Sequence, residues 1–229
     1  MSSKRFKKLP MNAREQNSET IDKLLPILKK NCTTKFDEAI DLSFQINNKQ
    51  KKSEINLRTV LNMPGGTGKK VKVAVVCEDG KSQAAKDGGA DIVGSDDLIE
   101  KIKGGYLDFE KLICTPSMMI KLSKLGKVLG PKGLMPNPKL GTVTDDVNKA
   151  VKDSKSGQVE IRNDKDGNIG VSIGKKSFSD ENLIKNFNAV TETLEKEKSN
   201  FSIKGDLIKS SFITSSMGVS YKLKLNKNI

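Results

Sequence analysis

Apolar and polar residues alternate along several stretches near both ends of this chain, and the alternation disappears in the middle. Over 37–47, Ile40, Leu42, Phe44 and Ile46 fall on one side and Asp41, Ser43 and Gln45 on the other. A period of two predicts a strand with one buried and one solvated face. Residues 55–61 alternate less cleanly, around Leu57 and Arg58. After Gly157 the pattern returns. Val159 and Ile161 oppose Glu160 and Arg162, the run 163–168 (NDKDGN) predicts a hairpin turn, and Ile169, Val171 and Ile173 share a face. Leu183, Phe187, Val190 and Leu194 recur at helical spacing within 179–198, with Ser179 as the cap. Val219, Tyr221, Leu223 and Leu225 alternate with Ser220, Lys222 and Lys224 in a last strand.

The middle follows another rule. Residues 71–77 (VKVAVVC) form an apolar strand with one Lys. A helix over 81–87, a short strand over 91–93, a helix over 96–103, a strand over 112–114 and a helix over 118–125 follow. Strands alternating with helices predict parallel βαβ units. The expected fold class is α/β in two domains. One is a discontinuous α+β sheet-and-helix domain built from both termini, residues 1–66 and 159–229. The other is an inserted, Rossmann-like βαβ domain over 67–158. Breakers and small residues near 64–68 and 156–159 predict a two-stranded hinge. A length of 229 residues accommodates two modest domains.

Charge adds a partner class. The chain has 41 basic and 28 acidic side chains, net +13. Residues 1–70 carry 15 basic and 7 acidic groups, whereas 71–110 carry 5 and 9. Residues 111–139 then contain six Lys and no acid, which predicts an oriented cationic face for a polyanion. The chain has no His, which removes Ser/His and Cys/His catalysis and His-ligated zinc. Cys32, Cys77 and Cys114 form no C-x-x-C pair, so buried, reduced thiols and a cytoplasmic location are expected. No run approaches ~18 apolar residues, and no apolar segment follows the basic start, so neither a membrane span nor a secretory signal is expected.

Residues 126–141 (GKVLGPKGLMPNPKLG) hold four Gly and three Pro and predict an exposed loop that can bring backbone N–H groups to an anion. It is not a nucleotide cradle. Gly126-Lys127 precedes Val128 and Gly68-Lys69 precedes Lys70, where a Walker loop needs Ser or Thr. Gly65–Gly68 precedes its strand, the wrong side for a dinucleotide fingerprint. The pairs Asp96-Asp97 and Asp145-Asp146 sit where helices begin, a placement the helix dipole explains without catalysis. Residues 210–218 (SSFITSSMG) are rich in hydroxyls suited to ribose and phosphate.

The run 129–139 (LGPKGLMPNPK), followed by 141–144 (GTVT), resembles the signature of the large-subunit ribosomal protein L-one family. Segments 35–38 (KFDE), 66–69 (GTGK), 88–91 (GGAD), 162–165 (RNDK) and 215–218 (SSMG) resemble family segments in the same order. The resemblance implies a non-enzymatic, ribosome-associated protein without cofactor or metal, monomeric off the ribosome. It implies binding to stalk-region ribosomal RNA, movement of deacylated tRNA out of the exit site, and repression of translation from its own operon messenger. The implied RNA surface carries onto Lys35, Phe36, Ser210, Ser216, Met217 and Gly218, with Asp164 and Lys165 secondary. Lys127, Lys132 and Lys139 would add contacts from the inserted domain. With eight Phe, two Tyr and no Trp, structured RNA suits the chain better than stacked single strands. Ala39, Gly65 and Gly170 depart from the Thr, His and His common in the family. The alternatives are a regulator acting chiefly on messenger RNA and a nucleotide-dependent α/β enzyme.

Overall fold

The computed structural model describes residues 4–9, 18–47, 57–200 and 205–225. The chain divides into two compact units, Met1–Gly68 with Val159–Ile229, and Lys69–Gln158.

In the terminal unit a short helix α1 (Lys4–Lys7) and α2 (Ile21–Asn31) precede β1 (Ala39–Ile46). Strand β1 lies inside a four-stranded antiparallel sheet of order β7-β1-β8-β9, formed with β7 (Asn168–Lys175), β8 (Ile208–Ser215) and β9 (Tyr221–Lys222). Its inward residues Ile40, Leu42, Phe44 and Ile46 are each at most 2% exposed. They share one core with Leu25 and Leu28 of α2 and with Leu183, Val190 and Leu194 of α8 (Asp180–Asn200). Each such buried side chain contributes about 1.5–3 kcal/mol. Among the described residues no helix side chain of that core lies on the other sheet face, which carries Asp41, Ser43, Ser172, Thr214 and Phe212. The strand expected over 219–225 shortens to Tyr221–Lys222, with one further bridge from Leu223 to Glu19.

Strands β2 (Arg58–Asn62) and β6 (Gln158–Arg162) form a separate two-stranded sheet. The 163–168 turn therefore joins strands of two different sheets, and one bridge, Asn163 to Ile169, replaces the expected hairpin ladder. The cause is local. Asp164 accepts from the Asn168 N–H at 2.6 Å and from Asn168 Nδ2 at 3.0 Å, closing the turn. Asn163 Oδ1 meanwhile accepts from the Leu57 N–H at 2.6 Å.

In the inserted unit β3 (Val73–Val76) runs between β4 (Ile92–Gly94) and β5 (Lys111–Cys114), parallel to both. Helices α3 (Ser82–Asp87), α4 (Asp96–Lys103), α5 (Pro116–Ser123), α6 (Gly126–Leu129) and α7 (Val147–Lys155) surround it. Ala74 and Val76 pack with Leu98, Ile102, Met118 and Leu122 on one face. Val73, Val75 and Cys77 pack with Ala85, Val147 and Val151 on the other. Coverage on both faces is why this strand reads as unbroken apolar sequence. Asp91 staples the sheet's start, accepting from the Val73 N–H at 2.9 Å and pairing with Lys155 at 3.0 Å.

The 126–141 segment differs from the expected exposed loop. It opens with a helical turn, α6, and buries Leu129 completely. Leu134 and Met135 rest against the same core, so apolar anchors hold a run whose Gly and Pro content alone suggests open loop. Both acidic pairs are structural. Asp146 caps α7 by accepting from the Lys149 N–H, while Asp145 pairs with Lys81 and Asp96 with Lys121.

The first crossing between units is anchored inside the terminal unit by Asn186, which is fully buried. Its Nδ2 donates to Ile173 O at 2.7 Å and Gly66 O at 2.9 Å, and its Oδ1 accepts from the Gly65 N–H at 2.7 Å. A Cβ on Gly65 would lie 2.9 Å from Asn182 O, so a side chain there displaces the helix or the segment.

Two predictions follow from these anchors. Asn186→Leu strands three backbone groups and should cost roughly 2–4 kcal/mol in urea unfolding with an unchanged m-value; a loss under about 1 kcal/mol would refute the anchor. The Asp91 carboxyl is held below its ordinary value of 3.8 by the Val73 N–H and then by Lys155. Its stabilisation is complete above that value and lost as pH falls through the lowered one. Asp91→Asn should therefore be less stable than wild type at pH 7, with the gap closing in acid. A gap independent of pH would contradict the assignment.

Candidate nucleic-acid interface

The register of β1 decides which candidate residues meet. Ile40 pairs with Ser215, and Gln45 pairs with Ser210 on one side and Asn168 on the other. Ser216 N–H donates to Ala39 O at 3.0 Å, and the Ala39 N–H donates to Ser216 Oγ at 3.0 Å. The 32–38 link between α2 and β1 thus adjoins the 216–220 link between β8 and β9. Lys35, Phe36, Ser216, Met217 and Gly218 gather at this end of the sheet. Lys35 and Phe36 precede the strand rather than start it. Phe36 is 54% exposed and Met217 50%, and the two loops bring these apolar side chains to the same end of the sheet.

A buried carboxylate organises this end. Glu38 is 0% exposed. Its Oε1 accepts from Thr34 Oγ1 at 2.7 Å and its Oε2 from the Met217 N–H at 3.1 Å. Burial alone would raise its pKa. Hydrogen bonds from Thr34, Ser215 and Met217 outweigh burial and hold it below the ordinary 4.5. On the far side of the Met217 peptide, Arg5 Nη2 donates to Met217 O at 2.6 Å and Nη1 to Thr33 Oγ1 at 2.9 Å. Gly218 is required by proximity, since a Cβ there would lie 2.3 Å from Ser215 Oγ. Asp37 accepts from Ser177 Oγ at 2.7 Å and Ser177 N at 3.0 Å, and these bonds lower its pKa.

The other candidates lie elsewhere. Ser210 sits in β8 at the opposite end of the sheet, six residues along β1, about 20 Å at strand rise. Its Oγ is 3.3 Å from Gln45 Oε1. Asp164 and Lys165 share that end, in an open depression of about 650 Å³ lined also by Ser43, Arg162, Asn168 and Gly170. The Asp164 carboxylate is engaged in its turn, and the Asn168 bonds lower its pKa. Lys165 is exposed. Between the two ends, Ser172, Asp41 and Thr214 form one row of the uncovered face and Gly170, Ser43, Phe212 and Lys222 the next. Lys127, Lys132 and Lys139 belong to the inserted unit, are exposed, and form no ion pair among the described residues.

Sequence reasoning misses Arg5, Thr34, Glu38 and Phe212. The signal for Glu38 is present but silent: an acid one residue before a strand reads as solvent-facing. Phe212 is hidden because β8 buries Ser211 and Ser215 where an apolar residue is expected. Ser211 Oγ is satisfied by Leu223 O at 2.8 Å.

Residues 28–219 match the Ribosomal protein L1p/L10e family. A large ribosomal subunit protein uL1 of Pelagibacter ubique is 72% identical over the whole of both chains. That of Ligilactobacillus salivarius is 44% identical over 96% of each chain. The uL1c protein of Arabidopsis thaliana is 43% identical over 99% of this chain and 65% of its own length. With this match running from within α2 to two residues before β9, the chain belongs to the Ribosomal protein L1p/L10e family.

Proposed function

We propose that the protein binds stalk-region RNA of the large ribosomal subunit through the 32–38 and 215–218 end of its terminal sheet. One observation carries the reading: half-exposed Phe36 and Met217 and an exposed Lys35 lie on two loops that the buried Glu38 carboxylate joins through Thr34 and the Met217 N–H. Lys35 meets phosphate, while the apolar pair covers sugar edges and Ser216 and the Gly218 backbone face ribose hydroxyls. Across the outward face the rows of Ser, Thr and Gly, with Asp41, Lys222 and one aromatic, Phe212, offer mostly small polar contacts to a folded RNA. Asp164 shapes the far turn, and Lys165 is the cation that end presents.

The inserted unit, joined through two crossings near 64–68 and 156–159, supplies the mobile part. Its Lys127, Lys132 and Lys139 are cations for exit-site tRNA, which the unit follows outward on release. A messenger segment folded to the same shape as the stalk would occupy the same terminal surface, giving repression of the protein's own operon. Off the ribosome the protein acts as a monomer. None of these three proposed activities uses chemistry on a substrate.

Binding to a stalk RNA hairpin and to an unrelated duplex, each across a salt series, tests this reading. The hairpin should bind roughly 1,000-fold more tightly at about 0.2 M salt. Equal affinities with parallel slopes would leave only general phosphate attraction. Two substitutions divide the surface. Lys35→Ala should lower the salt slope by about one. Gly218→Ala should weaken hairpin binding roughly tenfold with the slope unchanged, because it displaces Ser215 Oγ and removes no cation. Wild-type affinity in a folded Gly218→Ala protein would contradict the site.

A further inference from the structure

The geometry points to Glu38 as the positioning residue of the RNA surface, a carboxylate that holds Met217 and the Phe36 loop in one arrangement without touching RNA. The inference rests on the RNA-binding reading above.

Glu38 stands where the two loops must be joined. Thr34 Oγ1 is shared: it lies 2.7 Å from Glu38 Oε1 and 3.2 Å from Phe36 O. Thr34 N–H adds a longer bond to Oε1 at 3.4 Å. The opposite oxygen takes the Met217 N–H at 3.1 Å. One side chain therefore gathers donors from positions 34 and 217. Its own backbone carbonyl accepts from the Lys176 N–H at 2.8 Å, fixing the residue to the start of the sheet. Arg5 completes the brace from the carbonyl side of Met217.

Complete burial keeps Glu38 from a phosphate or a base. A buried acceptor set of this kind has strict demands, since every donor it loses becomes an unsatisfied group. Gly218 closes the same end of the sheet, where a Cβ would come within 2.3 Å of Ser215 Oγ. Phe36 and Met217 are each about half exposed, so packing fixes them only in part. Preorganisation by Glu38 supplies what packing does not.

Glu38→Gln separates this role from electrostatics. Removing a negative charge near RNA would by itself tighten binding. Positioning predicts the reverse, because the amide presents donors where donors already sit. The full-length protein, its Glu38→Gln variant and a milder Thr34→Val variant are compared in two readouts. In free protein, amide exchange at Met217 and in 34–38 should accelerate roughly tenfold in Glu38→Gln, and by less in Thr34→Val, with β1 and β8 amides unchanged. With a stalk hairpin transcript, affinity should fall roughly tenfold in Glu38→Gln with the wild-type salt slope. Wild-type exchange at Met217 in both variants overturns the inference, as does wild-type affinity despite faster exchange. If Glu38→Gln accelerates exchange throughout the sheet, Thr34→Val decides on the same two criteria. Failure of the wild-type protein to prefer the hairpin over a duplex would instead overturn the RNA-binding reading, while the exchange experiment still reports on Glu38.

Discussion

The register of β1 against β7 and β8 is the constraint on which the terminal unit depends. One face of β1 carries four apolar side chains into the core, so a slip of one residue would turn all of them outward. That cost fixes Ile40 opposite Ser215 and Gln45 opposite Ser210 and Asn168. The fixed pairing then decides which loops are neighbours. Segments 32–38 and 216–220, nearly two hundred residues apart, share an end because β1 begins where β8 finishes.

Around that frame the buried polar groups are few and connected. Glu38 joins two loops, Asn186 holds the first crossing, and Ser211 and Ser215 replace apolar residues inside β8. The Glu38, Asn186 and Ser211 side chains satisfy backbone groups that hydrophobic contact cannot reach. The apolar core supplies bulk stabilisation, and these groups select one loop arrangement. The site follows from this division. Its exposed members, Lys35, Phe36 and Met217, would be interchangeable with other surface residues if the carboxylate beneath them did not hold the backbone.

The α/β class is legible in the sequence because both periodicities are clean. Alternation in β1 and β7 marks strands covered on one face, and the unbroken VKVAVVC run marks a strand covered on two. Helix α8 shows its core stripe openly. Helix α2 does not, since Pro26 sits inside it. Strand β8 is masked by its buried serines, and α6 by the glycines and prolines around it. The site divides in the same way. Residues 35–36 and 216–218 stand out through the family resemblance, yet their meeting depends on the register of a strand the sequence conceals. Glu38 and Arg5 are invisible for a similar reason: nothing local says that an acid will be buried or that a guanidinium will reach Met217 O across more than two hundred residues.

The proposed RNA surface is the outward sheet face together with its 32–38 and 215–218 end. Amide chemical-shift mapping of the full-length protein during titration with a stalk hairpin examines that surface residue by residue. The largest changes are expected at 34–38 and 215–218, extending along the outward residues of β1, β7 and β8, with the α2 and α8 side of the unit unmoved. Changes concentrated on α2 and α8, or confined to the inserted unit, would contradict that placement.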